Sequence, residues 1–172
     1  SPKTSAGLFR TEHIDLSERL ELESGGRIEG TRIDVFTYST AGDLITPRHT
    51  FLNHALSVGL NWSIHDSLRL RTNISTAFRP PHVSELYSAG LHHGSAAIEM
   101  GDATLGTERA MKATADLEAF VLRGKLRLDL TLHASRIGGF IQLRPDGYLL
   151  TIRGAFPRFQ YVASDVWMHG LD

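Results

Sequence analysis

The sequence predicts an all-β chain, an antiparallel meander of long strands laid out like a membrane-spanning barrel. Three observations carry this reading. Apolar residues recur at every second position over stretches longer than the ~5–6 residues of a globular strand. The connections between those stretches alternate between short and long. No window approaches ~18 uninterrupted apolar residues, which excludes a spanning helix but not a barrel, whose strands are only half apolar.

The first strand, Leu8 to Leu16, alternates poorly, because Arg10 and Glu12 share a face with Leu8 and Ile14. On a lipid face each charge would cost roughly 2–4 kcal/mol at mid-depth. Either its register differs or the segment is not a strand. After a turn at 16–19, Leu20, Leu22 and Ile28 alternate with Glu21, Glu23, Arg27 and Glu29. The clearest case is Thr50 to Ile64. Leu52, His54, Leu56, Val58, Leu60 and Trp62 lie on one face, and Asn53, Ala55, Ser57, Gly59 and Asn61 on the other. A turn at 65–67 leads to Leu68, Leu70, Thr72, Ile74, Thr76 and Phe78 against Arg69, Arg71, Asn73, Ser75, Ala77 and Arg79, closing a hairpin. Glu108 to Leu122 contains good helix formers, but its apolar residues recur at two rather than three and four, so it reads as a strand. Past Arg123-Gly124-Lys125, Leu126, Leu128, Leu130 and Leu132 alternate with Arg127, Asp129, Thr131 and His133. A final strand is predicted over Phe159 to Leu171. No helix is predicted. Gly25-Gly26 and Gly138-Gly139 read as bulges within strands.

Short turns thus fall at 16–19, 65–67 and 123–125, and long loops at 36–49, 80–107 and 138–158. Short turns at one end and long loops at the other is the arrangement of an outer-membrane barrel. Trp62 lies near the short-turn end and Phe78 near the long-loop end, where interfacial aromatics belong. The polar faces would line a lumen in a barrel and meet solvent in a soluble sandwich, and alternation alone does not separate the two.

Composition removes several functions. A formal charge of -1, from 18 basic and 19 acidic residues, lacks the basic surplus of a nucleic-acid binder. With no Cys there is no disulfide framework, Cys-ligated zinc or thiol nucleophile. Neither G-x-S-x-G nor H-E-x-x-H occurs, and no glycine-rich phosphate loop is present. No catalytic residue, resident metal or cofactor is therefore predicted, and the protein reads as a non-enzyme. Ser1-Pro2-Lys3 opens no signal peptide, and Val166 to Asp172 reads like the middle of a strand, so the chain is expected to be a piece of a longer protein.

Ala77-Phe78-Arg79-Pro80-Pro81-His82-Val83-Ser84-Glu85-Leu86-Tyr87-Ser88 resembles the FRxPxxxELY strand-to-loop segment of TonB-dependent outer-membrane receptors. Gly101-Asp102-Ala103-Thr104-Leu105-Gly106-Thr107-Glu108 resembles the GNPxLKPE return of that family, with the usual Asn and Lys-Pro replaced. The segments 7–23 and 140–157 resemble a barrel hairpin and a late outer loop of these receptors. The resemblance covers nearly the whole chain. It implies that residues 1–172 are part of a large, plugged, 22-stranded transmembrane β-barrel, with the plug domain and the closing strand outside this sequence. It implies residence in the bacterial outer membrane and uptake of a scarce nutrient, such as an iron chelate, haem or a metal, driven by the TonB complex through the plug. The partners implied are outer-membrane lipid, TonB and a small-molecule or metal-chelate ligand, with no nucleic acid. Seven strands alone leave open edges. Two other readings of the residues stay open: an outer-membrane barrel enzyme of lipase or protease type, and a soluble β-sandwich binding module.

The 80–107 loop gathers the candidate ligand-binding residues His82, Glu85, Tyr87, His92, His93 and Glu99, beside Asp102. Imidazole and carboxylate together can hold a transition metal. Adjacent histidines on an extended chain point to opposite sides, so His92 and His93 chelate one ion only if the backbone turns, which Gly90 and Gly94 permit. His54, His65 and His133 read as structural.

Overall fold

The computed structural model describes residues 2–38, 42–92, 94, 96–152 and 154–172. Its elements are β1 (Lys3–Ser17), β2 (Leu20–Asp34), β3 (Thr37–Tyr38), β4 (Leu44–Ile45), β5 (Arg48–His65), β6 (Leu68–Arg79), α1 (Val83–Tyr87), β7 (Ala89–His92), β8 (Ala97–Met100), β9 (Glu108–Val121), β10 (Leu126–Thr151) and β11 (Gly154–Leu171). The main sheet is ordered β1-β2-β5-β6-β9-β10-β11-β8-β7, so the long strands pair in chain order; β1 and β7 are edges, and so is most of β11, which meets β8 only over Arg158, Phe159 and Gln160. β3 and β4 form a separate small ladder at the long-loop end.

Period-two patterning sets the register, because a one-residue slip would turn every apolar side chain to the wrong face. Leu22 lies opposite Leu60, Val58 opposite Ile74, Ile74 opposite Ala113, and Ala115 opposite Leu132. These pairs make one continuous apolar face. Leu52, Leu56, Val58 and Ile74 are 74%, 59%, 54% and 52% exposed on it. The other face is a polar network. Asn61 donates to Glu23 over 2.8 Å, Arg127 pairs with Glu118 at 3.0 Å, and Thr131 donates to Asp116 over 2.7 Å. An apolar face without a protein partner behind a charged face is the cross-section of a barrel wall.

The three short turns lie where the alternation places them. Leu122, Arg123 and Gly124 all have positive φ in the third, between the paired residues Val121 and Leu126. Glu108–Val121 is a strand, not a helix.

Three expectations are corrected. Residues 138–158 are not a loop: β10 runs 26 residues and folds back on β11 as one tall hairpin. Pro145 and Gly147, which read as loop residues, sit at a register shift between Pro145 and Tyr148, where a missing amide and a positive φ are tolerated. Gly138-Gly139 does form a bulge, with Gly139 at φ 66°. Gly25-Gly26 does not: both stay in register with β1 and β5, and a Cβ on Gly25 would come within 2.7 Å of Ser57 Oγ. The absence of helix is corrected by α1, five residues long and too short for any periodicity to announce. The antiparallel meander of long strands is borne out, every pair of long-strand neighbours being antiparallel, and one short strand adds to it. β7 and β8 form a hairpin out of the 80–107 segment, and β8 joins β11 in parallel, with Ile98 opposite Arg158. The ill-patterned first segment is a regular strand. Arg10 and Glu12 stay on the face of Leu8 and Ile14 and pair with each other along it.

Candidate functional site

β6 stops because Pro80 and Pro81 have no amide to give a ladder. Pro81 is fully buried, and the chain turns into α1 behind it. His82 caps that helix. Its Nδ1 accepts from the Ser84 amide at 3.3 Å, while its own backbone amide donates to Glu85 Oε2 over 2.6 Å, a reciprocal capping box.

Arg79 ties the segment down. Its Nε and Nη2 donate to the two carboxylate oxygens of Glu108 at 2.6 and 2.7 Å, and its Nη1 and Nη2 donate to those of Glu85 at 3.0 Å each. Glu108 Oε1 also accepts the Ile141 amide at 2.7 Å. One guanidinium thus joins β6, α1 and β9, and through Glu108 reaches β10. Two-pronged charged bonds of this kind fix orientation as well as distance. Leu86, Leu105 and Ile141 form a small core beside the clasp, with Tyr87 and Tyr161 against it.

The return strand is held by backbone contact. The Gly101 amide donates to Ser88 O at 2.7 Å and the Asp102 amide to Glu85 O at 2.9 Å. A Cβ on Gly101 would lie 2.6 Å from the Leu86 carbonyl carbon and from the Tyr87 nitrogen, so only glycine fits here. Asp102 Oδ1 then accepts the Thr104 amide and hydroxyl at 2.8 and 2.6 Å.

A cavity of about 450 Å³ opens beside α1, lined by Val35, Phe36, Thr37, His82, Tyr87 and Ser88 among others. That volume is in the range of small-molecule sites. His49, which no motif or spacing singles out, bonds Tyr87 Oη through Nε2 at 2.6 Å and stacks on Phe51 at 6.2 Å. Only the fold brings residues this far apart in sequence together. Burial raises the Tyr87 phenol above its usual range, so it stays protonated and able to donate.

The six candidate residues do not converge on one point. His82 and Tyr87 share the cavity. Glu85 is engaged by Arg79 and the helix cap. Glu99, on β8, accepts from the Tyr161 hydroxyl at 3.2 Å. His92 closes β7 opposite Ala97, and His93 lies outside the described residues.

A second cluster, also unread in the sequence, sits on the polar face near the short turns. His13, Glu21 and Glu23 bring one ligand atom each within 4.8 Å of one another, close enough to hold a cation. His13 Nδ1 lies 3.1 Å from Glu21 Oε1, and Asn61 shares Glu23, so the cluster is also satisfied as a hydrogen-bonded surface.

The sequence matches the family model described as TonB dependent receptor-like, beta-barrel, over residues 1–172. The chain belongs to the TonB-dependent receptor β-barrel family. Solved structures share its fold. The hemophore receptor HasR of Serratia marcescens, solved with its hemophore HasA and heme, aligns at a TM-score of 0.73 and 17% identity over 98% of this chain and 31% of that one. The copper transporter OprC aligns at 0.72 and 18% identity over 97% of this chain and 25% of its own. The FrpB iron transporter of Neisseria meningitidis aligns at 0.60 and 17% identity over 98% and 22%. The chain therefore spans about a third or less of the receptors it resembles. No curated protein matches by sequence. As part of a TonB-dependent receptor barrel the chain is an outer-membrane protein from a family of transporters rather than enzymes. Its apolar face is the lipid-facing wall, and its polar face lines the lumen.

Proposed function

We propose that the whole protein takes up a scarce nutrient, an iron chelate, haem or metal, with energy delivered by TonB through a plug domain, and that residues 1–172 supply part of the barrel around that plug. The observation that carries this is the 80–107 segment. It is an anchored structure at the mouth, fixed by Arg79, with an imidazole- and phenol-bearing cavity against α1. Binding residues concentrate on loops held by rigid scaffolds. His82, Tyr87, His92 and His93 would meet the nutrient, and Glu85 and Glu99 would hold the segment that presents them. The named ligands of the structural neighbours, heme, copper and iron, suit such donors.

Uptake of labelled ferric chelates, haem and copper by cells carrying the full-length gene tests the reading. One substrate should accumulate only with the gene and with functional TonB, and removing residues 82–104 should abolish it while the barrel still reaches the outer membrane. Accumulation that persists without TonB would overturn it.

A further inference from the structure

The lipid-facing wall carries an unexplained feature near its long-loop end. The β5–β6 ladder is in unbroken register from the pair Ser63–Arg69 to the pair Ser57–Ser75 and then ends. Above it the Thr76 hydroxyl substitutes for the ladder, accepting from the Leu56 amide at 2.8 Å and facing the Leu56 carbonyl at 3.4 Å. The strands separate there, and a cleft of about 330 Å³ opens on the apolar face, lined in part by His54, Leu56, Thr76, Arg109, Met111 and Arg136. Directly below lies a trough of about 660 Å³ whose floor is made of small side chains, Thr72, Ala113, Ala115 and Ala134, between Val58 and Leu132.

The cleft carries unpaired basic charge, whereas Arg10 and Glu12 elsewhere on the wall pair with each other. Among the described residues, the side chains of Arg109 and His54 have no hydrogen-bond or ion-pair partner, and both residues are exposed. Arg136 is oriented from one side by Asp165 at 2.8 Å and lies over the Trp167 ring at 5.1 Å. Asp165 balances one guanidinium and leaves the other uncompensated.

Depth places these groups at a headgroup. From Ala119 to Arg109, β9 rises about 33 Å, which at a tilt near 40° is about 25 Å of height, the thickness of the apolar band. Trp167 opposite Arg136, and Phe78 opposite Arg109, mark the same level as interfacial aromatics do. The long-loop end faces outside, so this is the outer leaflet.

We propose that this cleft and trough bind a phosphorylated lipid of the outer leaflet. Arg109 and Arg136 would hold its phosphate, His54 would hydrogen-bond the headgroup, and an acyl chain would lie in the trough. Guanidinium matches phosphate in a two-pronged fashion, and a splayed strand pair beside an uncompensated charge is what scattered interfacial arginines lack. The inference rests on the outer-membrane placement of the family, not on the uptake reading, and is read out separately from uptake.

The test uses the full-length receptor in detergent, with bis-phosphorylated lipid A as the probe and binding followed by native mass spectrometry. Arg109→Gln, which breaks no side-chain hydrogen bond or ion pair within the described residues, should weaken binding at least fivefold, and Arg109→Gln with Arg136→Gln at least tenfold. Dephosphorylated lipid A should bind wild type and variants alike, and weakly. Ala113→Leu with Ala134→Leu, filling the trough, should weaken lipid A binding with the arginines intact. Inorganic phosphate at millimolar concentration should not displace the lipid. Equal binding of lipid A to wild type and Arg109→Gln, or displacement by inorganic phosphate, would overturn the proposal.

Discussion

Arg79 and Glu108 face each other across the β6–β9 pair at the rim of the sheet and are joined by two hydrogen bonds of 2.6 and 2.7 Å. Glu108 is only 8% exposed, so its carboxylate depends on this partner and on the Ile141 amide. Arg79→Ala would leave it, and Glu85, without a counter-charge. The expected loss is about 1.5–3 kcal/mol for bonds of this type, toward the lower end because the Arg79 side chain is 45% exposed. It should appear as faster limited proteolysis within 82–104 of the full-length protein, with the barrel itself intact. Arg79→Lys should rescue little, because an ammonium cannot fork onto two carboxylates. Unchanged cleavage in Arg79→Ala would show that the clasp does not hold the segment.

Topology gives a second expectation. The short turns should face the periplasm, and the 80–107 segment and the β10–β11 tip should face outside. Ser95, within the 80–107 segment, lies outside the described residues, so the tip is the better reporter: Ile152 is fully exposed there. On intact cells an impermeant thiol reagent should label Ile152→Cys and not Ser67→Cys. The reverse pattern would invert the barrel.

Most of the long strands are legible because they carry their own period-two signal, and that signal is local; β1, with Arg10 and Glu12 on its apolar face, is the exception. Short turns are legible for the same reason, being brief breaks between patterned stretches. What stayed hidden depends on contacts between distant segments. Pro145 and Gly147 look like a loop in sequence, yet pairing with β11 carries the strand through them. The parallel docking of β8 on β11 leaves no trace in residues 97–100. In the candidate site, the grouping of chemistry in 80–107 was visible, and the helix was not, since its cap is a histidine rather than Ser, Thr, Asp or Asn. His49 joins Tyr87 only because β5 runs past the membrane to reach it. His54, read as structural from its position on an apolar face, gains its proposed role only once Arg109 and Arg136 are seen beside it.

The two faces of β5 should respond oppositely to charge. Val58 is on the apolar wall, about 10 Å above Trp62 by strand rise and tilt, and is 54% exposed to what would be lipid. Ser57 faces the polar side, against Gly25. Val58→Arg in the full barrel should cost roughly 2–4 kcal/mol in a lipid bilayer. Ser57→Arg should cost much less in lipid terms, although crowding against Gly25 or the plug adds a steric component. Unfolding titrations in liposomes measure both. Equal penalties, or the larger one at Ser57, would mean that this face does not meet lipid.

The ligand residues can be divided by what each substitution leaves standing. Tyr87→Phe removes one hydroxyl from the cavity and its bond to His49, and leaves the ring packed on Leu86, Leu105 and Ile141. His92→Ala with His93→Ala removes two imidazoles from the same stretch of sequence and touches none of Arg79, Glu85 and Glu108. If the segment captures the nutrient through these donors, the double substitution should weaken ligand affinity about tenfold or more, on the order of 1.4 kcal/mol. Tyr87→Phe should weaken it less. Neither should alter the proteolysis of residues 82–104, because Arg79, Glu85 and Glu108 are untouched. That separation matters, since Arg79→Ala would lower affinity by releasing the whole segment and would raise cleavage with it. Isothermal titration of the full-length receptor with the transported chelate, run beside the proteolysis assay, distinguishes loss of a donor from loss of the scaffold. Full affinity in the double variant would reduce His92 and His93 to packing and solvation, and leave His82, Tyr87 and His49 as the residues to test next.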